Sequence, residues 1–142
     1  MRALFIEDDE LNRRIVQDML RVGGAEMVGA EDALAGLDAY DREAFDILLV
    51  DLRMPGIDGF ETIRRVRARA DDKANIPIIV VTADTGATIK QDCIDTGANA
   101  VLLKPVAMRE LFETIADLMV VGDSGGGSGT AASGPAGNLS AI

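Results

Sequence analysis

Four short stretches of the chain carry side chains that could do chemistry together: the acidic run Glu7-Asp8-Asp9, then Asp51, Thr82 and Lys104. Each alone has an ordinary reading. An acidic trio suits the start of a helix, where it meets the positive end of the dipole. An aspartate opening a loop is commonly a turn residue. Threonine is at home at the end of a β-branched strand, and a lysine before a proline is commonly a solvated loop residue. Brought together they mean something else. Carboxylates held close repel one another unless a cation sits among them. A hard ion such as Mg²⁺ accepts a few carboxylate oxygens beside water and phosphate oxygen. Metal, ammonium and hydroxyl are what a transferring phosphoryl group requires, because its catalysis is mainly positioning and charge neutralisation. A carboxylate can accept that group covalently, and Asp51 is the central candidate.

The elements that must position these residues are five short apolar runs alternating with five helix-like stretches. The runs are Ala3–Ile6, Glu26–Ala30, Asp46–Val50, Pro77–Thr82 and Ala100–Leu103. The third and fourth are nearly all Ile, Leu and Val, the composition of strands buried on both faces of a parallel sheet. Between the runs, Leu11, Ile15 and Met19, then Leu34 with Leu37, Ile63 with Val66, and Leu111, Ile115 and Leu118 keep helical spacing. Alternation of strand and helix predicts a doubly wound α/β sheet with ligands at the carboxyl ends of its strands. Glu7-Asp8, Asp51, Thr82 and Lys104-Pro105 follow strands one, three, four and five. The second strand offers nothing distinctive. Counting back from Ile15 as an inward residue selects Glu7-Asp8 as the acidic pair and leaves Asp9 to cap the first helix.

Composition narrows the functions. The chain has 142 residues and a net charge of −10, which argues against direct nucleic-acid binding. It contains no histidine, which excludes a histidine-based triad, a His-ligated zinc site and a phosphohistidine carrier within this sequence. The single Cys93 fits a reducing compartment and, with Ile89, the apolar face of the fourth helix. No apolar run approaches membrane-spanning length and no leader pattern is present, so a cytoplasmic domain without membrane contact is expected. Residues 1–121 read as one domain. Residues 122–142, rich in Gly, Ser and Ala, read as a flexible tail or linker.

Glu7-Asp8, Asp51-Leu-Arg-Met-Pro-Gly-Ile-Asp-Gly59, Val81-Thr82-Ala83 and Lys104-Pro105, in this order, resemble the two-component response-regulator receiver family over residues 2 to about 120. The resemblance implies a flavodoxin-like (βα)₅ fold of CheY type with strand order 2-1-3-4-5. It implies Asp51 as phosphoacceptor, and Glu7, Asp8, Asp51 and the backbone carbonyl of Arg53 as Mg²⁺ ligands. Thr82 would bond the phosphoryl oxygen and Lys104 would pair with it; the Lys104-Pro105 peptide is often cis in the family. The phosphoryl donor would be a sensor histidine kinase or a histidine-phosphotransfer protein in a phosphorelay. Output would pass to an unidentified downstream protein, with the fourth helix, fifth strand and fifth helix as the readout face and a candidate homodimer surface. The domain would catalyse only its own phosphorylation and dephosphorylation.

Two departures matter. Val101 stands where many receivers have an aromatic residue. Arg53 and Asp84, each two residues beyond a site residue, could pair across the cleft mouth or both point into water. Competing readings are a receiver-like interaction module that ignores phosphorylation, and an aspartyl-phosphate hydrolase of the haloacid dehalogenase type. The first is disfavoured by the intact residue set. The second wants an aspartate at position 53, where this chain has Arg53. A flavodoxin is disfavoured because the first loop lacks a Ser/Thr/Gly-rich phosphate cradle.

Overall fold

The computed structural model describes residues 1–127. Its first unit, Met1–Met108, holds five strands: β1 (Arg2–Ile6), β2 (Glu26–Ala30), β3 (Ile47–Asp51), β4 (Ile78–Thr82) and β5 (Ala100–Leu103). They form one parallel sheet in the order β2-β1-β3-β4-β5. Between them run α1 (Glu10–Val22), α2 (Ala33–Arg42), α3 (Gly59–Arg67), a 3₁₀ turn at Asp72–Asn75, and α4 (Ile89–Thr96). The second unit begins at Arg109; its described part is the remainder of α5 (Met108–Gly127). The helix therefore runs past Gly122, where the sequence suggests a tail, and the rest of that stretch, 128–142, lies outside the described residues.

All residues of β3 and β4 are buried, as expected of central strands with cover on both faces. Alternate residues Leu4, Ile6, Leu48, Val50, Ile78 and Val80 join Tyr40, Ile63, Val66 and Cys93 in one apolar cluster. Three aspartates cap helices by accepting a backbone N–H three residues on: Asp9 from Asn12, Asp32 from Ala35 and Asp58 from Glu61. Part of the acidic excess is thus structural.

Two helix registers differ from expectation. In α1 the buried residues are Val16 and Leu20, whereas Leu11 is 65% and Ile15 41% exposed. In α2 Ala33, Gly36 and Tyr40 are buried and Leu34 is exposed. In α1 the buried stripe lies one residue from the one expected, because two offset stripes satisfy the same spacing; in α2 Leu37 packs against the core as expected and only Leu34 turns to water.

Candidate functional site

Sheet register brings the site together. Asp51 is the last residue of β3 and pairs with Val81, so Thr82 lies one step further on the neighbouring strand. Thr82 pairs with Leu103, and the Lys104 N–H donates to the Thr82 carbonyl at 2.8 Å. On the other side Ile6 pairs with Val50, which sets Glu7 beside Asp51. A close approach behind Asp51 completes the arrangement. A Cβ on Gly59 would lie 2.4 Å from the Asp51 carbonyl oxygen, so only glycine lets α3 start there.

One local device recurs at three strand ends. Glu7 Oε2 accepts from the Asp9 N–H at 3.1 Å, Asp51 Oδ1 from the Arg53 N–H at 3.4 Å, and Thr82 Oγ1 from the Asp84 N–H at 3.1 Å. Each of these side-chain oxygens is held by the amide two residues on, the short-range bond that acidic and hydroxyl side chains favour in turns.

Glu7, Asp8 and Asp51 each offer a carboxylate oxygen, all within 4.8 Å of one another. Glu7 is wholly buried, Asp51 nearly so, and Asp8 is exposed. Lys104 Nζ lies 2.7 Å from Glu7 Oε1 and 3.4 Å from Asp51 Oδ1. Among the described residues the Lys104 ammonium is the one group that approaches the buried Glu7 Oε1. Burial raises the Glu7 carboxyl to about 7 against the downward pull of Lys104, with the nearby Asp51 charge adding to the rise. Burial alone would lower Lys104; the two carboxylates beside it outweigh that and leave it raised. Three carboxylates with oxygens this close, two of them buried and with one lysine to balance them, fit a hard divalent cation. These side chains line an open cleft of about 240 Å³ together with Asn12, Arg53, Thr82 and Ala83.

The remaining expectations can be placed. Asp9 caps α1, with its side chain on the Asn12 amide. Arg53 and Asp84 form an ion pair. Cys93 is fully buried in the core cluster and Val101 packs against it. The Lys104–Pro105 peptide is cis. The second strand is not without interest: Gly29 lies against Arg13, and a glycine inside a strand was the signal that another group comes close.

The model of the response regulator receiver domain family matches residues 3–116. The chain belongs to this family. It is 36% identical over 121 residues to the sensory/regulatory protein RpfC of Xanthomonas campestris, covering 84% of this chain and 17% of that protein. It is 34% identical over 116 residues to the sensor protein GacS of Pseudomonas syringae, covering 80% of this chain and 13% of that one. The chain thus spans only a small part of these curated relatives. Among solved structures it resembles a response regulator from Chloroflexus aurantiacus (TM-score 0.79, 28% identity, 84% of this chain and 97% of that one). It also resembles the receiver domain of the sensor histidine kinase PA1611 of Pseudomonas aeruginosa, which was solved with a magnesium ion coordinated in its active-site cleft (TM-score 0.74, 28% identity, 82% and 94%). Receiver membership makes this a phosphoacceptor signalling domain of two-component phosphorelays rather than a metabolite-converting enzyme. No described helix is long and apolar enough to cross a membrane.

Proposed function

We propose that Asp51 accepts a phosphoryl group from the phosphohistidine of a partner, either a sensor histidine kinase or a histidine-phosphotransfer protein. The observation that carries this is the convergence of Glu7, Asp8, Asp51 and Lys104 at the ends of three strands. In this reading an Asp51 carboxylate oxygen bonds to phosphorus as the donor P–N bond breaks, and the imidazole leaves with a proton. Glu7, Asp8, Asp51 and the Arg53 carbonyl would hold Mg²⁺, which when bound would supply positive charge beside the phosphoryl oxygens. Lys104, beside Glu7 and Asp51, balances the charge, and the Thr82 hydroxyl, whose oxygen already accepts from the Asp84 N–H, keeps its proton free to donate. Because these 142 residues contain no histidine, the phosphohistidine that donates the group lies outside them. The domain catalyses its own phosphorylation and slow dephosphorylation in the cytoplasm, and passes the signal to a protein partner. A homodimer through the α4–β5–α5 face is one form that output could take.

Incubation of the full chain with acetyl phosphate and Mg²⁺, followed by intact-mass measurement, tests the reading. One added phosphoryl group is expected in the wild type and none in Asp51→Asn. A folded wild type that stays unmodified, or an Asp51→Asn protein modified to the same extent, would overturn it.

A further inference from the structure

Glu7 is the first residue beyond β1, and its backbone is gripped on both sides. Its N–H donates to the Ala30 carbonyl of β2 at 2.9 Å. Its carbonyl accepts from Arg13 Nη1, one turn into α1, at 2.6 Å. The Arg13 side chain reaches that carbonyl by lying across Gly29 of β2. A Cβ at Gly29 would come within 3.0 Å of Arg13 Cδ and 3.5 Å of Nε, so the missing side chain leaves room for the arginine stem. Short donor distance and a charged donor mark this as a strong contact. It falls on the peptide that leads directly into Asp8, the exposed member of the carboxylate cluster.

We propose that Arg13, seated over Gly29, is a positioning residue for the cation cluster: its guanidinium fixes the Glu7 peptide and thereby the directions of the Glu7 and Asp8 carboxylates. The inference rests on the Mg²⁺ reading above. Arg13 touches neither metal nor phosphoryl; it acts through Glu7. A carboxylate set only partly pre-arranged must reorganise each time it takes up a cation, and the partners that prevent this usually alter metal affinity about 10- to 100-fold when removed. The same carbonyl can be reached by water once Arg13 is gone, so the metal-free fold should lose far less than the site does.

The test is isothermal titration of the full chain with Mg²⁺, paired with thermal unfolding in EDTA. Arg13→Ala is expected to weaken Mg²⁺ binding by about tenfold or more while leaving the metal-free unfolding midpoint near that of the wild type. Arg13→Lys, which keeps the charge and one donor, is expected to recover part of the loss. Gly29→Ala reaches the same contact from the other side and should weaken binding without altering Arg13; it decides the matter if Arg13→Ala does not fold. Arg14→Ala, at the exposed neighbouring position, should bind as the wild type does. Undiminished binding by Arg13→Ala or Gly29→Ala, or an equal loss in Arg14→Ala, overturns the proposal while leaving the phosphoacceptor reading standing. A wild type that binds no Mg²⁺ overturns both.

Discussion

Arg53 and Asp84 meet in an ion pair across 31 positions of sequence, tying the loop after β3 to the loop after β4. The two are anchored differently. Arg53 is largely in water, with 77% of its side chain exposed, whereas Asp84 is 18% exposed. The Gly86 backbone N–H, and then Arg53, hold the Asp84 carboxyl below the usual carboxylate range. The backbone of each partner reaches back to the site: Arg53 N–H to Asp51 Oδ1, Asp84 N–H to Thr82 Oγ1. A pair so exposed adds little to stability. Its consequence lies in its location, beside the acceptor and the hydroxyl that would stabilise its phosphoryl group.

Arg53 lines the cleft that holds Asp51 and is paired there with Asp84, a placement that would hinder water reaching a phosphorylated Asp51. Arg53→Ala and Asp84→Ala are therefore expected to shorten the acyl-phosphate lifetime several-fold, with the unfolding midpoint nearly unchanged. Following loss of the phosphorylated mass after donor removal checks this. Unchanged lifetimes in both variants would end the idea.

Gly59 makes a separate prediction about the acceptor. A methyl group there would enter the space of the Asp51 carbonyl oxygen and lie 2.7 Å from Leu52 Cα, both backbone atoms that cannot swing aside. Gly59→Ala is expected to cost on the order of 2 kcal/mol and to slow phosphorylation by shifting the β3–α3 junction. Urea unfolding together with acetyl-phosphate labelling separates the two effects. Wild-type stability in this variant would show that the junction is looser than its geometry indicates.

The strand ends were legible in the sequence because a buried parallel strand is an unbroken Ile/Leu/Val run. Where that run stops at Asp51 or Thr82, the chain must be leaving the sheet on the ligand-binding edge. Arg13 was not legible in the same way. Its partner is a backbone carbonyl, which carries no sequence signal, and only Gly29 hints that something crosses β2. The face of α1 failed for another reason. Leu11-Ile15-Met19 and Asn12-Val16-Leu20 share the same four-residue spacing, and hydrophobicity favours the stripe that the structure leaves the more exposed.

That register can be measured. Leu20 is wholly buried and Leu11 is 65% exposed. Leu20→Ala is expected to cost about 3 kcal/mol, and Leu11→Ala to remain within about 0.5 kcal/mol of the wild type. Chemical denaturation of the two variants reads the difference directly. A reversed order would put the helix back on the face that spacing alone suggests.

Glu7 should make the metal-free protein sensitive to pH near neutrality. Its carboxyl sits at about 7 in the fold against 4.5 as an ordinary side chain, because burial disfavours its charge. Below pH 4.5 both folded and unfolded chains carry the proton, and Glu7 adds no pH-dependent penalty. Between 4.5 and 7 the unfolded chain ionises first, so stability falls as pH rises; above about 7 the loss levels off at something on the order of 3 kcal/mol. Asp71 and Asp84 titrate in the opposite sense, since lowered carboxyls support the fold above their unfolded values and withdraw that support only in acid. Comparing wild type with Glu7→Gln in EDTA across pH 5 to 8 isolates the Glu7 contribution: the difference between their unfolding midpoints should grow in favour of Glu7→Gln as pH rises. Cation binding needs the ionised carboxylate, so Mg²⁺ should restore wild-type stability more at pH 8 than at pH 6 and do little for Glu7→Gln. Parallel pH profiles for the two proteins would mean that Glu7 is already ionised throughout, and that Lys104 compensates its burial more fully than their 2.7 Å contact suggests.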